Sequence, residues 1–237
     1  MPGAHRGHAG AHGLKLAASL GIVVADYDAT LYSGDYQGTI VGASLAFGRF
    51  ALEVKVPAYR LSENGREVRG LGDVMMHGHA TVLHRGRRSA GVMMMIGAPT
   101  GSARDGLGMG HTMLMPEVWA AWALPSVSLT GSLGYGHAFG GAAAHASHGG
   151  GMWPLVDPMN AREVTYAAGA VAPLACGLAA GARLRGAAPI GSGDARLAGG
   201  AVIVWRVGQL DTSFALERGL AGDPFGTRGA LEAAWTF

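Results

Sequence analysis

The 237-residue chain is 49% hydrophobic, only 14% charged, and contains 41 glycines without a three-residue period. A formal charge of +2, spread along the chain, excludes a nucleic-acid partner, and a single cysteine (Cys176) excludes a disulfide framework. No apolar run reaches the roughly 18 residues of a transmembrane helix; the apolar residues come in strand-sized packets such as 91–99.

Residues 1–13 contain His5, His8 and His12 and lack the apolar core of a signal peptide, so they read as a flexible His-rich tail. From residue 14 to 237 a period of two predicts about twelve strands. They are 14–25, 38–48, 50–60, 71–84, 88–98, 112–124, 126–137, 162–173, 177–187, 196–206, 209–218 and 228–237. Connections after the even-numbered strands are short: 48–49, 85–87, 124–125, 173–176 and 207–208. Those after the odd-numbered strands are longer: 26–37, 61–70, 99–111, 138–161, 188–195 and 219–227. Sorting of short and long connections to opposite ends, with an even strand number, predicts an all-β fold, a closed antiparallel transmembrane β-barrel. Short turns would face the periplasm and longer loops the outside.

The period also separates two faces. Leu52, Val54 and Val56 alternate with Glu53 and Lys55; Leu129, Leu133 and Tyr135 alternate with Ser128, Thr130 and Ser132; Ile203 and Trp205 share a strand with Arg196 and Arg206 of opposite parity. Placing a charge on the lipid face at mid-membrane costs about 2–4 kcal/mol. The charged parity therefore faces the lumen. Its predicted acids are Glu53, Asp73, Glu117, Asp211, Glu217 and Glu232; its bases are Lys55, Arg183, Arg185, Arg196 and Arg206. The last strand alternates to the final residue through Leu231, Ala233, Trp235 and Phe237, where a soluble chain would fray. Trp122, Trp205 and Trp235 sit near the turn end, where an aromatic girdle is expected, whereas Trp119 has lumen parity.

Three further readings concern chemistry. His77 and His79 share the lumen face of one strand, and His111, His137, His145 and His148 belong to external loops or rims. Together with 11 methionines they make copper the metal to consider, although His77 and His79 alone supply too few ligands. Ser126, Ser128 and Ser132 precede His137, the pattern a barrel lipid hydrolase would need, but their parity differs from that of His137 and no third group orients it. The expectation is a protein that is not an enzyme and needs no cofactor.

The segment Leu71-Gly72-Asp73, then 96–101 ending in Pro99-Thr100-Gly101, then 105–110 with Gly106, Gly108 and Gly110, resembles the outer-membrane barrel family named for the MetA pathway of phenol degradation. These motifs cover about 40 residues. Phe237 resembles the C-terminal signal read by the outer-membrane assembly machinery. The resemblance implies an outer-membrane location, contact with lipid and lipopolysaccharide, and movement of small, hydrophobic molecules; it brings no catalytic residues. A structural or adhesive barrel, a copper-handling protein and a lipid hydrolase are the alternatives. The glycines of 106–110 would let the external loop fold tightly or inward.

Overall fold

Why these residues form a wall follows from the backbone. With no water in the bilayer core, every N–H and C=O must be paired within the protein, and a closed ring of strands does so without leaving an edge. The computed structural model describes residues 13–29, 32–63, 65–140, 159–191, 193–223 and 225–237. Among them run thirteen strands: β1 (Leu14–Ala29), β2 (Tyr32–Phe47), β3 (Phe50–Glu63), β4 (Arg66–Leu71), β5 (Val74–Arg85), β6 (Arg88–Ala98), β7 (Thr112–Ala123), β8 (Ser128–Phe139), β9 (Arg162–Pro173), β10 (Leu178–Pro189), β11 (Arg196–Val207), β12 (Leu210–Ala221) and β13 (Phe225–Thr236). Neighbours pair antiparallel, and β1 joins β13 from Ala17↔Thr236 upward, which closes the ring. Twelve strands form the barrel. The thirteenth, β4, is an addition to one edge of β3.

That addition corrects the expected loop 61–70. The edge of β3 is divided: Phe50–Lys55 pair with β5, whereas Ala58–Glu63 pair with β4. Between the two stands Pro57, which has no N–H to give to a ladder; its carbonyl instead accepts the Gly72 N–H at 2.9 Å. The strand expected over 71–84 accordingly begins at Val74, and Leu71 belongs to β4. The expected loop 26–37 is also largely strand. β1 and β2 keep their register to Ala29↔Tyr32. Outside the membrane no apolar face is required, so the sequence loses its alternation while the hydrogen-bond ladder continues. Strand parity read from apolar alternation stops too soon at such places.

The turns at one end are tight. Gly48, Gly86 and Gly208 have φ of 58°, 57° and 58° and open two-residue hairpins, the position a type II′ turn reserves for glycine. At this end Phe47, Phe50, Trp122, Trp205 and Trp235 point outward and are all more than 40% exposed, as the girdle expectation has it. The Phe237 N–H donates to the Leu16 carbonyl at 2.8 Å, so the last residue is tied into the wall.

Outward parity is apolar across the middle of the wall. Leu20, Ile22, Leu52, Val92, Val118, Leu133, Ile203, Phe214, Leu216 and Leu231 are each at least 43% exposed. The charges of these middle rows point the other way, while Asp26, Arg88 and Arg218 share the outward parity toward the strand ends. A cation introduced on this belt should act through the bilayer alone. Leu231→Arg, between Ile22 and Phe214, is expected to lower folding stability in phospholipid vesicles by about 2–4 kcal/mol. Equilibrium unfolding in urea checks it; an unchanged midpoint would place Leu231 away from lipid.

Candidate functional site: a loop seated in the barrel mouth

Register fixes what faces the lumen. Glu53 stands opposite His77, Met75 opposite Lys55, and Glu117 opposite Met93, while Glu232 stands opposite Gly21. The wall charges are satisfied locally. Lys55 Nζ lies 2.8 Å from Glu232 and 3.4 Å from Glu53, and Glu53 lies 3.2 Å from His77 Nδ1. Lys55 and Glu232 are on β3 and β13, so the lysine must cross β2 and β1. Glycines make the crossing open, with Gly42 beside Lys55 and Gly21 beside Glu232. The same device recurs on the adjoining wall. Gly200 separates Arg183 from Glu217, and Glu217, only 3% exposed, lies 2.6 Å from Arg183 and 3.2 Å from Arg185.

Other expected lumen residues have narrower places. Arg206 pairs with Asp211 near the turn end. Arg196 sits at the loop end, 2.7 Å from Glu163, a 1% exposed carboxylate that also accepts from the Asn160 backbone and side-chain nitrogens. Glu163 was missed in the sequence; its parity, opposite to Val164 and Tyr166, was the available signal. Glu117 is on the wall with Ser132 as a hydrogen-bond partner. Asp73 does not sit in a strand row. It lies in the connection before β5, and its carboxylate is taken up by a loop.

That loop is 99–111, between β6 and β7. The Gly101 and Met109 N–H groups donate to the two Asp73 carboxylate oxygens at 2.9 and 2.7 Å. Thr100 Oγ1 donates to the Gly72 carbonyl at 3.0 Å and accepts from the Val74 N–H at 2.8 Å. Gly106 and Gly110 adopt φ of 71° and 72°, a region that costs other L-residues strain. A Cβ on Gly108 would run into the Asp73 carboxylate. The three motifs of the sequence therefore form one object: Gly72-Asp73 is the socket, Thr100-Gly101 the tether fixed to it, and 106–110 the inserted tip.

The tip goes inward. Leu107, 4% exposed, packs with Val23 and Ala25 of β1, Tyr36 of β2, Leu61 of β3 and Phe225 of β13. Tyr36 meets Tyr59 and Phe225 edge-on, with ring centroids 5.8 and 5.6 Å apart. Leu107 also lies beside Gly70 of β4, and through Tyr36 the cluster it enters extends round the ring to Phe225 of β13. Gly108→Val is expected to unseat it, raising single-channel conductance in planar bilayers with the barrel still folded; unchanged conductance would mean that the tip does not limit the mouth.

His111 closes the loop and is 3% exposed. Burial pushes its imidazole pKa below the ordinary value, while a hydrogen bond with the Met109 backbone and the charge of Asp73 pull against the shift. A neutral ring therefore favours the seated loop. Its contribution is present above about pH 6.5 and is lost as pH falls through the depressed value. Conductance should accordingly rise on acidification below the ordinary imidazole range, and His111→Gln should flatten the response.

The remaining histidines do not converge. The His77 and His79 rings are edge-on with centroids 6.4 Å apart at mid-wall. His137 is on the outer parity, beside Tyr135 and Phe139, with its Nδ1 3.3 Å from the Tyr135 hydroxyl. His145 and His148 lie outside the described residues, as do His5, His8 and His12. Ser128 and Ser132 face the lumen and His137 faces out, so the wall separates serine from histidine.

No protein-family model matches the chain, and no curated protein is significantly similar in sequence. Among solved structures, the COG4313 outer membrane channel from Pseudomonas putida F1 superposes with a TM-score of 0.70 at 14% identity, covering 98% of both chains. The fold is that of outer-membrane barrels. The KdgM porin gives a TM-score of 0.57 at 9% identity over 92% of this chain and 99% of its own. The translocator domain of the autotransporter NalP from Neisseria meningitidis gives 0.56 at 13% identity, over 98% and 91%.

Proposed function

We propose that the chain is a channel of the Gram-negative outer membrane for small, hydrophobic molecules, closed at its outer mouth by the loop 99–111. The observation that carries this reading is the seat of Leu107: a loop held by Asp73 and buried in the mouth by an apolar side chain would act as a gate. The lining above mid-membrane suits an apolar solute. Leu107, Tyr36, Tyr59, Leu61 and Val68 meet there, whereas the wall charges below are neutralised in pairs and triads. The fold shared with proteins described as a channel and a porin supports the transport reading, and the resemblance to the phenol-degradation family supports the solute class. The exposed apolar belt would meet lipid and the base of lipopolysaccharide, and Phe237, 72% exposed, would be offered to the assembly machinery.

Flux into liposomes tests it. Small aromatic or aliphatic solutes should enter faster than sugars of equal size. A barrel that excludes every solute, both as wild type and with the loop unseated, would instead support the structural or adhesive reading.

A further inference from the structure

The inward methionines occupy one sector of the lumen. Seen from inside, β5, β6 and β7 present three rows: Met75, Gly97 and Met113; His77, Met95 and Met115; His79, Met93 and Glu117. Seven of these nine positions are methionine or histidine. Met109 comes down from the inserted loop and Met159 from the chain before β9, and with Met75 and Met95 they line a cavity of about 40 Å³ that Tyr59 and Asp73 also border. Of the 11 methionines, Met76 and Met94 face outward and Met1 and Met152 lie outside the described residues. All seven others are in this sector. The lumen face of β9 to β13 is filled differently, by Ala167, Gly169, Ala198, Gly200, Val202 and Ala215. Filling space inside this barrel evidently does not call for methionine.

We propose that this sector binds Cu(I). Thioethers are soft, neutral donors that need no deprotonation, and with imidazole they select Cu(I) over Zn(II) and other hard divalent ions. The carboxylates of the sector are already engaged: Asp73 is held by two backbone N–H groups, Glu53 by Lys55 and His77, and Glu117, opposite Met93, by Ser132. The cavity is of the size for a single ion, far below that of an organic solute. Cu(I) would enter at the cavity beneath the loop, among Met75, Met95, Met109 and Met159, and the rows below would offer it Met93, His77 and His79 in turn. This inference does not depend on the solute class proposed above.

The test is anaerobic titration of the full-length, detergent-folded protein with Cu(I) against bicinchoninate, with X-ray absorption to identify the donors. One Cu(I) per chain in a sulfur-dominated environment is expected. Met75→Leu/Met95→Leu should weaken binding at least tenfold, and Met93→Leu/Met115→Leu should weaken it less. Met76→Leu/Met94→Leu, which changes the same residue type on the lipid face, should leave binding unchanged. Retained electrophoretic heat-modifiability shows that each variant is folded, and conductance of the same preparations reports channel function separately. Absence of binding, equal loss in inward and outward variants, nitrogen- and oxygen-dominated coordination, or loss on replacing His5, His8 and His12 by Ala would each overturn the proposal.

Discussion

Asp73→Ala should open the channel. The change removes the acceptor for two N–H groups, those of Gly101 and Met109, and leaves both without their partner when the loop is seated. Hydrogen bonds to a charged group contribute about 1.5–3 kcal/mol each, so the seated form loses on the order of 3 kcal/mol. That is a shift of roughly a hundredfold in the ratio of seated to unseated loop. The apolar contacts of Leu107 remain and will hold the tip part of the time. Planar-bilayer recordings should therefore show longer open times and a higher mean conductance, with wild-type barrel stability. Asp73→Asn, which keeps an acceptor oxygen, should fall between. Conductance indistinguishable from wild type in Asp73→Ala, with the barrel folded, would sink the gate.

The second large effect is on stability. Glu217 is nearly inaccessible and holds two guanidinium groups that would otherwise face each other from the same strand. Glu217→Gln keeps the shape but leaves Arg183 and Arg185 without their shared counter-charge. Removing one partner from a buried ion pair typically costs about 3–5 kcal/mol. A loss of about 3 kcal/mol in vesicles is expected, since the lumen admits some water and Asp223 stands 3.9 Å from Arg185. Adding Arg183→Met to Glu217→Gln should recover part of it, because one cation then remains where two repelled. A double variant less stable than Glu217→Gln would show that packing rather than charge dominates there.

The wall of this molecule is legible in its sequence because the membrane imposes a period. Leu231 and Glu232 are assigned to opposite sides by parity alone, as are Leu52 and Glu53, and the structure keeps both assignments. The glycines of the tight turns mark where the chain reverses. Above the bilayer the constraint ends, and the reading weakens with it. The extended β1–β2 hairpin carries no alternation to reveal it, and β4 is set by which edge of β3 was still free. The inserted loop was the hardest part to read. A run of glycines around 106–110 says that the backbone can bend but does not say where it goes. Its destination is made by Val23, Tyr36, Leu61 and Phe225, residues from four strands far from the loop in sequence. Asp73 illustrates the gap: parity expects it in a strand row, whereas it precedes β5 and serves as an acceptor for the Met109 N–H, 36 residues away.

The seat of Leu107 straddles the seam where the first strand meets the last. Val23, Ala25 and Tyr36 come from β1 and β2, Leu61 from β3 and Phe225 from β13, so the seat is complete only once β1 and β13 join. Full burial of the tip thus waits on the last pairing of the ring, which alone brings Phe225 to the seat. Such long-range docking is late by nature, since contacts between distant parts of a chain wait on the topology that creates them. A barrel stalled before its final pairing would offer the tip an incomplete seat, so completion of the seam and full burial of the loop are consequences of a single pairing.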